Sequence, residues 1–350
     1  MENSEISWCD HTHNHWEGCT KVSPGCAHCY AEARDKRFTG GLHWGAGAPR
    51  RFTSLANRNK PRQWNRAAAK ALKDHSEECA KDMSYGQHVK PPARPRVFCS
   101  SLADWLDHEV PVEWLAELLA LIHETPHLDW LLLTKRPQNW LPRMLAVAAA
   151  EPGPSLSGLG EFIGRWIQGE RPANVWIGTT MENQQRADER LPLLLSIPAG
   201  VRFVSVEPML SPLNLRLKCN GHDLQRTIGE DLHWVICGGE SGPGARPMHP
   251  DWARSLRDQC AAAGVAFHFK QWGEWIARSQ YLYIGNEPIV QAFGAGGKFT
   301  SAVMRRDGRI DESLGEASTT NDSDSAIVRV GKKLSGRLLD GVRHDAFPTV

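Results

Sequence analysis

The strongest constraint on the fold is a repeated alternation of short apolar runs with longer amphipathic segments. Because the runs are almost continuously apolar, they predict strands covered on both faces of a sheet. Such alternation predicts parallel strands with right-handed crossovers, in either a (β/α) barrel or an open doubly wound sheet. Six runs follow a first candidate strand at 5–9, and they occupy residues 96–100, 128–134, 174–180, 201–206, 233–239 and 265–269.

Amphipathic segments between the runs predict helices at 111–124, 183–197 and 250–264, the last ending at Gly264 as a C-cap. Three segments depart from the alternation. Residues 40–95 form a predicted insertion with a helix near 62–82, and shorter surface insertions are predicted at 150–172 and 216–231. From residue 276 the chain becomes turn-rich. We therefore predict a main domain over 1–275 and a small β-rich appendage over 276–350.

Polar and glycine residues follow the predicted strands, where both architectures place their functional sites. Taken singly, each is as readily a cap or loop residue as a functional one, but their recurrence after successive strands indicates a shared rim. The residues with predicted roles at this rim are Ser100, Asp104, Thr134, Lys135, Glu182, Asn183, Glu207, Gly238, Gly239, Glu240 and Arg246.

Three cysteines, Cys19, Cys26 and Cys29, are spaced C-x6-C-x2-C directly after the first predicted strand. Thiolates are soft ligands for zinc or iron. Three of them can hold a [4Fe–4S] cluster with one iron open, whereas a structural zinc ion requires a fourth ligand. The nearby candidates for that ligand are Cys9, His11, His13, His15 and His28. The five cysteines from Cys79 onward are scattered, and we predict that they bind no metal.

The glycine-rich segment 237–246 follows another predicted strand. Glycines let backbone N–H groups close on an anion, but the segment is neither a Walker motif nor G-x-G-x-x-G. We predict a loop where a ligand approaches the backbone, with Glu240 and Arg246 facing that ligand.

The composition excludes some classes of protein. Lys and Arg total 41 against 40 for Asp and Glu, so no global positive field indicates nucleic acid. No apolar run reaches membrane-spanning length, and the N-terminal residues do not resemble a signal peptide. Nine cysteines without such a signal predict a reducing compartment, so a cytoplasmic protein without membrane partners is expected.

The ordered motifs resemble a phage-associated protein family known as the three-Cys-motif family, long carried as a domain of unknown function. The resemblance covers nearly the whole chain. It rests on "GCTKVSPGCAHCYA" (18–31), "TKRPQN" (134–139), "MENQ" (181–184), "VEPML" (206–210), "GGESGPGARPM" (238–248), "FKQWGEW" (269–275) and "RVGKKLSGRLLDG" (329–341).

This family resembles radical S-adenosylmethionine (SAM) enzymes, which implies a partial (β/α) barrel of six or seven parallel strands with three cysteines after the first. The usual spacing in those enzymes is C-x3-C-x2-C, although wider spacings occur. The resemblance implies that Cys19, Cys26 and Cys29 ligate a [4Fe–4S] cluster whose open iron binds SAM. It also places His28 where an aromatic residue packs against the adenine.

The implied site residues fall into two groups. The predicted catalytic residues are Glu207, Glu240 and Lys135. The predicted cofactor-binding residues are His28, Ser100, Asp104, Thr134, Glu182, Asn183, Gly238, Gly239 and Arg246.

The resemblance also suggests partners. These are a small-molecule or nucleic-acid substrate, such as a modified nucleotide or DNA base in thymidine hypermodification, an electron donor such as a flavodoxin, and a phage-encoded protein.

A second hypothesis is a zinc-stabilised nucleic-acid-binding or nuclease-associated protein without radical chemistry. In that case the basic stretches 50–66 and 329–343 would contact phosphates. The same stretches are also typical of an ordinary solvated surface.

Overall fold

The computed structural model describes residues 1–82, 88–150, 158–215, 218–219, 222–223, 231–281, 300–311 and 324–349. Parts of four predicted segments lie outside these residues, namely 83–87 of the 40–95 insertion, 151–157 of the 150–172 insertion, most of 216–231, and 282–299, 312–323 and 350 of the appendage. The chain forms two compact units. Unit 1 comprises 1–20, 34–178 and 196–200, and unit 2 comprises 21–33, 179–195 and 201–350.

The secondary structure is mixed α/β. The strands are β1 (His11–His13), β2 (Trp16–Glu17), β3 (Arg51–Phe52), β4 (Arg96–Cys99), β5 (Asp129–Thr134), β6 (Val175–Thr180), β7 (Val201–Val206), β8 (Lys218–Cys219), β9 (His222–Asp223), β10 (Trp234–Gly238), β11 (Ala266–Gln271), β12 (Trp275–Ala277), β13 (Ser301–Met304), β14 (Ile310–Asp311) and β15 (Ser325–Arg329). The helices are α1 (Tyr30–Thr39), α2 (Leu55–Arg58), α3 (Lys60–Lys81), α4 (Val112–Glu124), α5 (Trp140–Ala149), α6 (Leu159–Ile167), α7 (Gln184–Ser196), α8 (Pro250–Ala263), α9 (Arg278–Tyr281) and α10 (Lys332–Ser335).

Seven strands form one sheet, in the order β1-β4-β5-β6-β7-β10-β11. In unit 1, β4 pairs in parallel with β1 and β5, and in unit 2, β10 pairs in parallel with β7 and β11. Every residue of β6 and β7 is buried, which explains why their sequences are almost continuously apolar. The strand order and intervening helices are consistent with a partial (β/α) barrel.

Most predicted elements are confirmed. Strands β4, β5, β6, β7, β10 and β11 begin and end within two residues of their predicted bounds, and so do α3, α4, α7 and α8. Gly264 ends α8 in the left-handed region with φ 67°, as a C-cap glycine does. The predicted surface insertion 150–172 contains an additional helix, α6, which buries Leu159, Phe162, Ile163 and Trp166.

The prediction for the first strand was wrong. The strand is His11–His13, whereas residues 4–10 form a turn in which Ser4 N donates to Asp10 O at 2.8 Å. Ile6 and Trp8 alternate with polar residues as in a strand, but Trp8 packs its ring 4.5 Å from that of Phe98. Burial of that indole alone accounts for the apolar pattern.

The C-terminal part of unit 2 contains a second, antiparallel sheet in the order β12-β15-β13-β14. Beyond it, the chain runs along β11, the last strand of the large sheet. Phe269 N donates to His344 O at 2.9 Å, and Trp234 Nε1 donates to Ala346 O at 2.9 Å. This segment therefore covers an otherwise open sheet edge. The predicted domain boundary at 275/276 stays a prediction. Among the described helices, none is both long and apolar enough to cross a membrane.

Candidate functional site

The cysteine loop, residues 18–29, follows β1 and β2 and leads into α1. Cys19 belongs to unit 1, whereas Cys26, in a short 3-10 helix (Pro24–Cys26), and Cys29 belong to unit 2. All three thiols are free and half-buried. Thiols of this kind can ligate zinc or iron once they are deprotonated.

In unit 1, Cys19 contacts a buried arginine. Arg136 Nη1 donates to the Cys19 Sγ at 3.4 Å and to Asp104 Oδ2 at 2.9 Å, and Nη2 donates to Thr20 O at 2.8 Å. Burial raises the pKa of Cys19 to about 12, and the Arg136 charge opposes that rise. The guanidinium therefore both fixes the loop backbone and favours the thiolate form of the sulfur.

Asp104 is the acceptor that organises this corner of unit 1. Besides Arg136, its carboxylate accepts from Thr134 Oγ1 at 2.7 Å, from Lys135 N at 2.9 Å and from Leu106 N at 3.0 Å. These donors occupy the lone pairs of the Asp104 carboxylate. Asp104 and Thr134 therefore stabilise the local structure next to Cys19. Two of the predicted cofactor-binding residues thus have a structural use.

A second buried pair supports the residue after Cys19. Arg50 Nε donates to Asp107 Oδ2 at 2.9 Å, and Arg50 Nη2 donates to Thr20 Oγ1 at 2.8 Å. Glu109 lies 3.1 Å from the same guanidinium. Charge-assisted bonds of this kind are shorter and stronger than neutral ones.

In unit 2, Glu182 fixes the turn before Cys26. Its Oε1 accepts from the Gly25 N–H at 3.0 Å, and its Oε2 accepts from Arg190 Nη1 at 3.0 Å. The Glu182 side chain has no exposed surface. Burial raises the pKa of this carboxyl, but Arg190 and the Gly25 N–H together hold it below its ordinary value. Glu182 is therefore a buried carboxylate that binds the loop backbone.

Glu240 and Arg246, on the glycine-rich segment 237–246, form a second ion pair of unit 2 that contacts the cysteine loop. Arg246 donates from Nε to Oε2 at 2.8 Å and from Nη2 to Oε1 at 2.5 Å, a bidentate arrangement. The same Nη2 donates to Pro24 O at 3.0 Å. The loop is thus held at two successive residues, at the Pro24 carbonyl by Arg246 and at the Gly25 N–H by Glu182.

Gly244 brings the glycine-rich segment against His28. A Cβ on Gly244 would lie 2.8 Å from His28 Cε1, and its φ is +75°. Gly239 is equally constrained, because a Cβ there would lie 1.9 Å from Trp272 O. These glycines are required by close backbone and ring packing.

A partly accessible polar group at the strand ends of unit 2 is centred on Glu207, directly after β7. Lys270 Nζ donates to Glu207 Oε2 at 2.8 Å, and Gln271 Nε2 donates to Oε1 at 2.9 Å. The Glu207 and Lys270 side chains keep 17% and 19% of their surface exposed. Gly238 packs beside this carboxylate, since a Cβ there would lie 3.3 Å from Glu207 Cδ.

One comparison with known sequences is informative. A family model described as "Protein of unknown function (DUF5131)" matches residues 3–348. The chain belongs to the DUF5131 family. No curated protein and no solved structure matches it.

The remaining predicted residues of the DUF5131 chain have mainly local contacts. Asn183 Oδ1 accepts from Arg186 N at 3.0 Å, as an N-cap residue does at the start of α7. Ser100 N donates to His13 O at 2.8 Å, and Lys135 is half-buried. Among the described residues, no group of three or more His, Cys, Asp or Glu side chains is arranged for a metal ion.

His11, His13 and His15 do not all lie in the same environment. His13 and His15 are buried and meet through His13 Nε2 and His15 Nδ1, 3.2 Å apart, whereas His11 stacks on Trp64 at 4.3 Å. Burial lowers the pKa of His13 to about 3 and that of His15 to about 2. Both imidazoles are therefore neutral at physiological pH.

Three arginines of the basic stretch 50–66 are paired with carboxylates within unit 1. Arg50 is paired with Asp107, Arg51 with Glu17, and Arg62 with Glu124. The Arg50 side chain is buried and cannot reach a phosphate, whereas the Arg51 and Arg62 side chains are partly exposed.

Two arginines that hold the loop, Arg136 and Arg190, were not among the predicted site residues. Arg190 lies on the buried face of α7 with Ala187, Leu191 and Leu194. An arginine at an apolar-face position is the sequence signal that would have identified it, since a buried arginine requires a partner.

Proposed function

We propose that this chain is an iron–sulfur enzyme of the radical SAM type, with Cys19, Cys26 and Cys29 as the ligands of a [4Fe–4S] cluster. One observation carries the proposal. The backbone around the cysteine loop is fixed by three buried arginine–carboxylate pairs and by a fourth, Glu240–Arg246, whose arginine is partly exposed, while the three thiols stay free and half-buried. Buried ion pairs are costly to desolvate. We propose that these pairs are present because they position the three cysteine ligands.

When bound, the cluster would supply an electron for reductive cleavage of SAM, giving a radical that abstracts hydrogen from a substrate. The chain's own residues would prepare for this. Arg136 offsets the charge of the Cys19 sulfur, and the pairs at Glu182 and Glu240 keep the Pro24–Cys26 turn in one conformation.

The contacts divide the proposed rim residues by role. Glu207 and Lys270 are partly exposed, so they are the best placed to bind a polar group of SAM or substrate. Glu240, Arg246, Glu182, Asp104 and Thr134 already satisfy one another or the loop, and we assign them to positioning. Lys135, which is half-buried, keeps its proposed role at the reacting centre.

Further parts of the proposal concern partners. The electron would come from a donor such as a flavodoxin. A modified nucleotide or DNA base in phage thymidine hypermodification is the proposed substrate class, because the half-buried Lys135 suits an anionic group.

The test is anaerobic purification and reconstitution, followed by iron, sulfide and zinc analysis. We expect about four irons and four sulfides per chain with broad visible absorbance. Cys26→Ser should lose them, and Cys79→Ser, which changes another half-buried thiol, should retain them. One tightly held zinc without sulfide would overturn the proposal in favour of a zinc-stabilised protein.

A further inference from the structure

The helix that follows the cysteine loop, α1, has an outward face that carries positive charge and one exposed aromatic ring. Arg34, Lys36, Arg37 and Phe38 are all exposed. The chain as a whole has a net charge of only +1. Three cations within four residues therefore form a local charge that the composition does not reveal.

The acidic residues of the same helix do not offset this charge, because they face inward. Glu32 is 9% exposed and Asp35 is 8% exposed. Lys21 lies 2.8 Å from Glu32. Asp35 accepts from Thr39 Oγ1 at 2.7 Å and from His43 N at 3.1 Å. The helix is thus sorted by charge: its carboxylates are bound on the inner face, while the exposed Arg34 lies 3.5 Å from Glu17, a residue outside the helix, and keeps 47% of its side-chain surface exposed.

Phe38 is 68% exposed, the largest exposed fraction among the large hydrophobic side chains of the described residues. The guanidinium carbons of Arg34 and Arg37 each lie 5.4 Å from its ring centroid, within cation–π range. Leu42, 59% exposed, extends the apolar area. An exposed ring between two arginines is an arrangement in which a flat group can stack while an anion binds beside it.

We propose that this surface, formed by Arg34, Lys36, Arg37, Phe38 and Leu42, binds single-stranded nucleic acid. A nucleobase would stack on Phe38 and its flanking phosphates would contact the arginines, as aromatic platforms in positively charged grooves do. An acidic protein would use the cations but not need the ring. A duplex hides its base faces and would likewise leave Phe38 unused.

This inference goes beyond the proposed function, because it needs neither a cluster nor SAM. The nucleic-acid inference and the proposed function can therefore be refuted independently of each other. Binding is measured on the full-length protein as purified, without reconstitution, and the metal analysis is independent of α1.

The experiment is fluorescence anisotropy of a labelled oligodeoxythymidine at several salt concentrations. We expect wild-type binding that weakens with salt. Phe38→Ala should weaken binding roughly 5- to 100-fold, the effect of losing one stacked base. The double variant R34Q/R37Q should reduce the salt slope by about 1.4, since each phosphate contact on a single strand contributes about 0.7.

Matched controls are Leu145→Ala, an exposed apolar residue on α5, and Arg165→Gln, an exposed cation on α6. Both should bind like wild type, and thermal unfolding confirms that all variants are folded. The proposal is overturned if wild type does not bind the oligonucleotide. It is also overturned if Phe38→Ala leaves the Kd unchanged, if the control variants lose as much affinity, or if duplex DNA of equal length binds more tightly.

Discussion

Arg136 donates a hydrogen bond from Nη1 to the Sγ of Cys19 across 3.4 Å. The same nitrogen donates to Asp104, so the charge next to the sulfur is itself held by a buried carboxylate. A metal ligand must be a thiolate, and burial, opposed by the Arg136 charge, raises the pKa of Cys19 to about 12. Arg136 is therefore the residue of unit 1 that favours the thiolate form of Cys19.

Removing the charge of Arg136 should destabilise the protein strongly. Asp104 is 5% exposed and Arg136 is 3% exposed, so Arg136→Gln leaves a carboxylate buried with fewer donors. We expect the free energy of unfolding to fall by about 3–5 kcal/mol, measured by urea denaturation. Arg165→Gln, which breaks a solvent-exposed pair with Glu161, should change it by less than about 1 kcal/mol. Equal losses in the two variants would contradict this account.

Two glycines of the same segment give a matched test of the packing against His28. Gly244 and Gly242 both have positive φ, 75° and 97°, but only a Cβ at Gly244 meets another group within 4 Å. Each alanine variant should lose about 1–2 kcal/mol from backbone strain. Gly244→Ala should lose a further 1–3 kcal/mol, roughly, from overpacking. Thermal unfolding of both variants measures the difference, and a similar loss in both would show that His28 moves away freely.

The contacts of the Asp340 carboxylate should weaken in acid. Hydrogen bonds from Arg254 lower the pKa of Asp340 to about 2, and Arg257 and Gln280 also bind this carboxylate. Since the bound form is the carboxylate, its contribution is complete above the unfolded pKa near 4 and is lost as pH falls towards 2.

Asp340→Asn tests this contribution, because asparagine tolerates the positive φ of 53° at this position. The variant should be about 2 kcal/mol less stable than wild type at pH 6. The difference should shrink progressively below pH 4 in denaturation curves. A difference that does not depend on pH would mean that the charge of Asp340 is unimportant.

The buried pair His13 and His15 should make the protein less stable in mild acid. Burial lowers both pKa values, to about 3 and about 2, whereas an unfolded histidine titrates near 6.5. Between those values the unfolded state binds more protons, so stability is complete above pH 6.5 and falls below it. The expected slope is up to about 1.4 kcal/mol per pH unit for each histidine.

His15→Asn should reduce that slope, and His108→Asn, at a histidine with 70% of its side chain exposed, should not. Denaturation between pH 8 and pH 5 provides the measurement. An unchanged slope in His15→Asn would assign the acid sensitivity to other groups.

The sheet and the main helices were predictable because their signals are local. A strand buried on both faces must be apolar throughout, as Val175–Thr180 and Val201–Val206 largely are. The first strand was misassigned because Trp8 is buried by a turn that has the same polarity pattern as a strand.

The contacts of the candidate site were not predictable in the same way. Cys19 and Arg136 are 117 residues apart, Gly25 and Glu182 are 157 apart, and Pro24 and Arg246 are 222 apart. The sequence indicated that these residues lie at strand ends, and so that they meet at one edge of a sheet. It did not indicate which of them satisfy one another, because that depends on side-chain packing.

The central claim is that this chain cleaves SAM by means of a cluster on Cys19, Cys26 and Cys29. The most direct measurement is release of 5′-deoxyadenosine from SAM by the reconstituted protein under a strong reductant. We predict release by wild type and by Cys79→Ser, and none by Cys26→Ser. Absence of 5′-deoxyadenosine from a wild-type protein shown to contain its full iron and sulfide would contradict the claim.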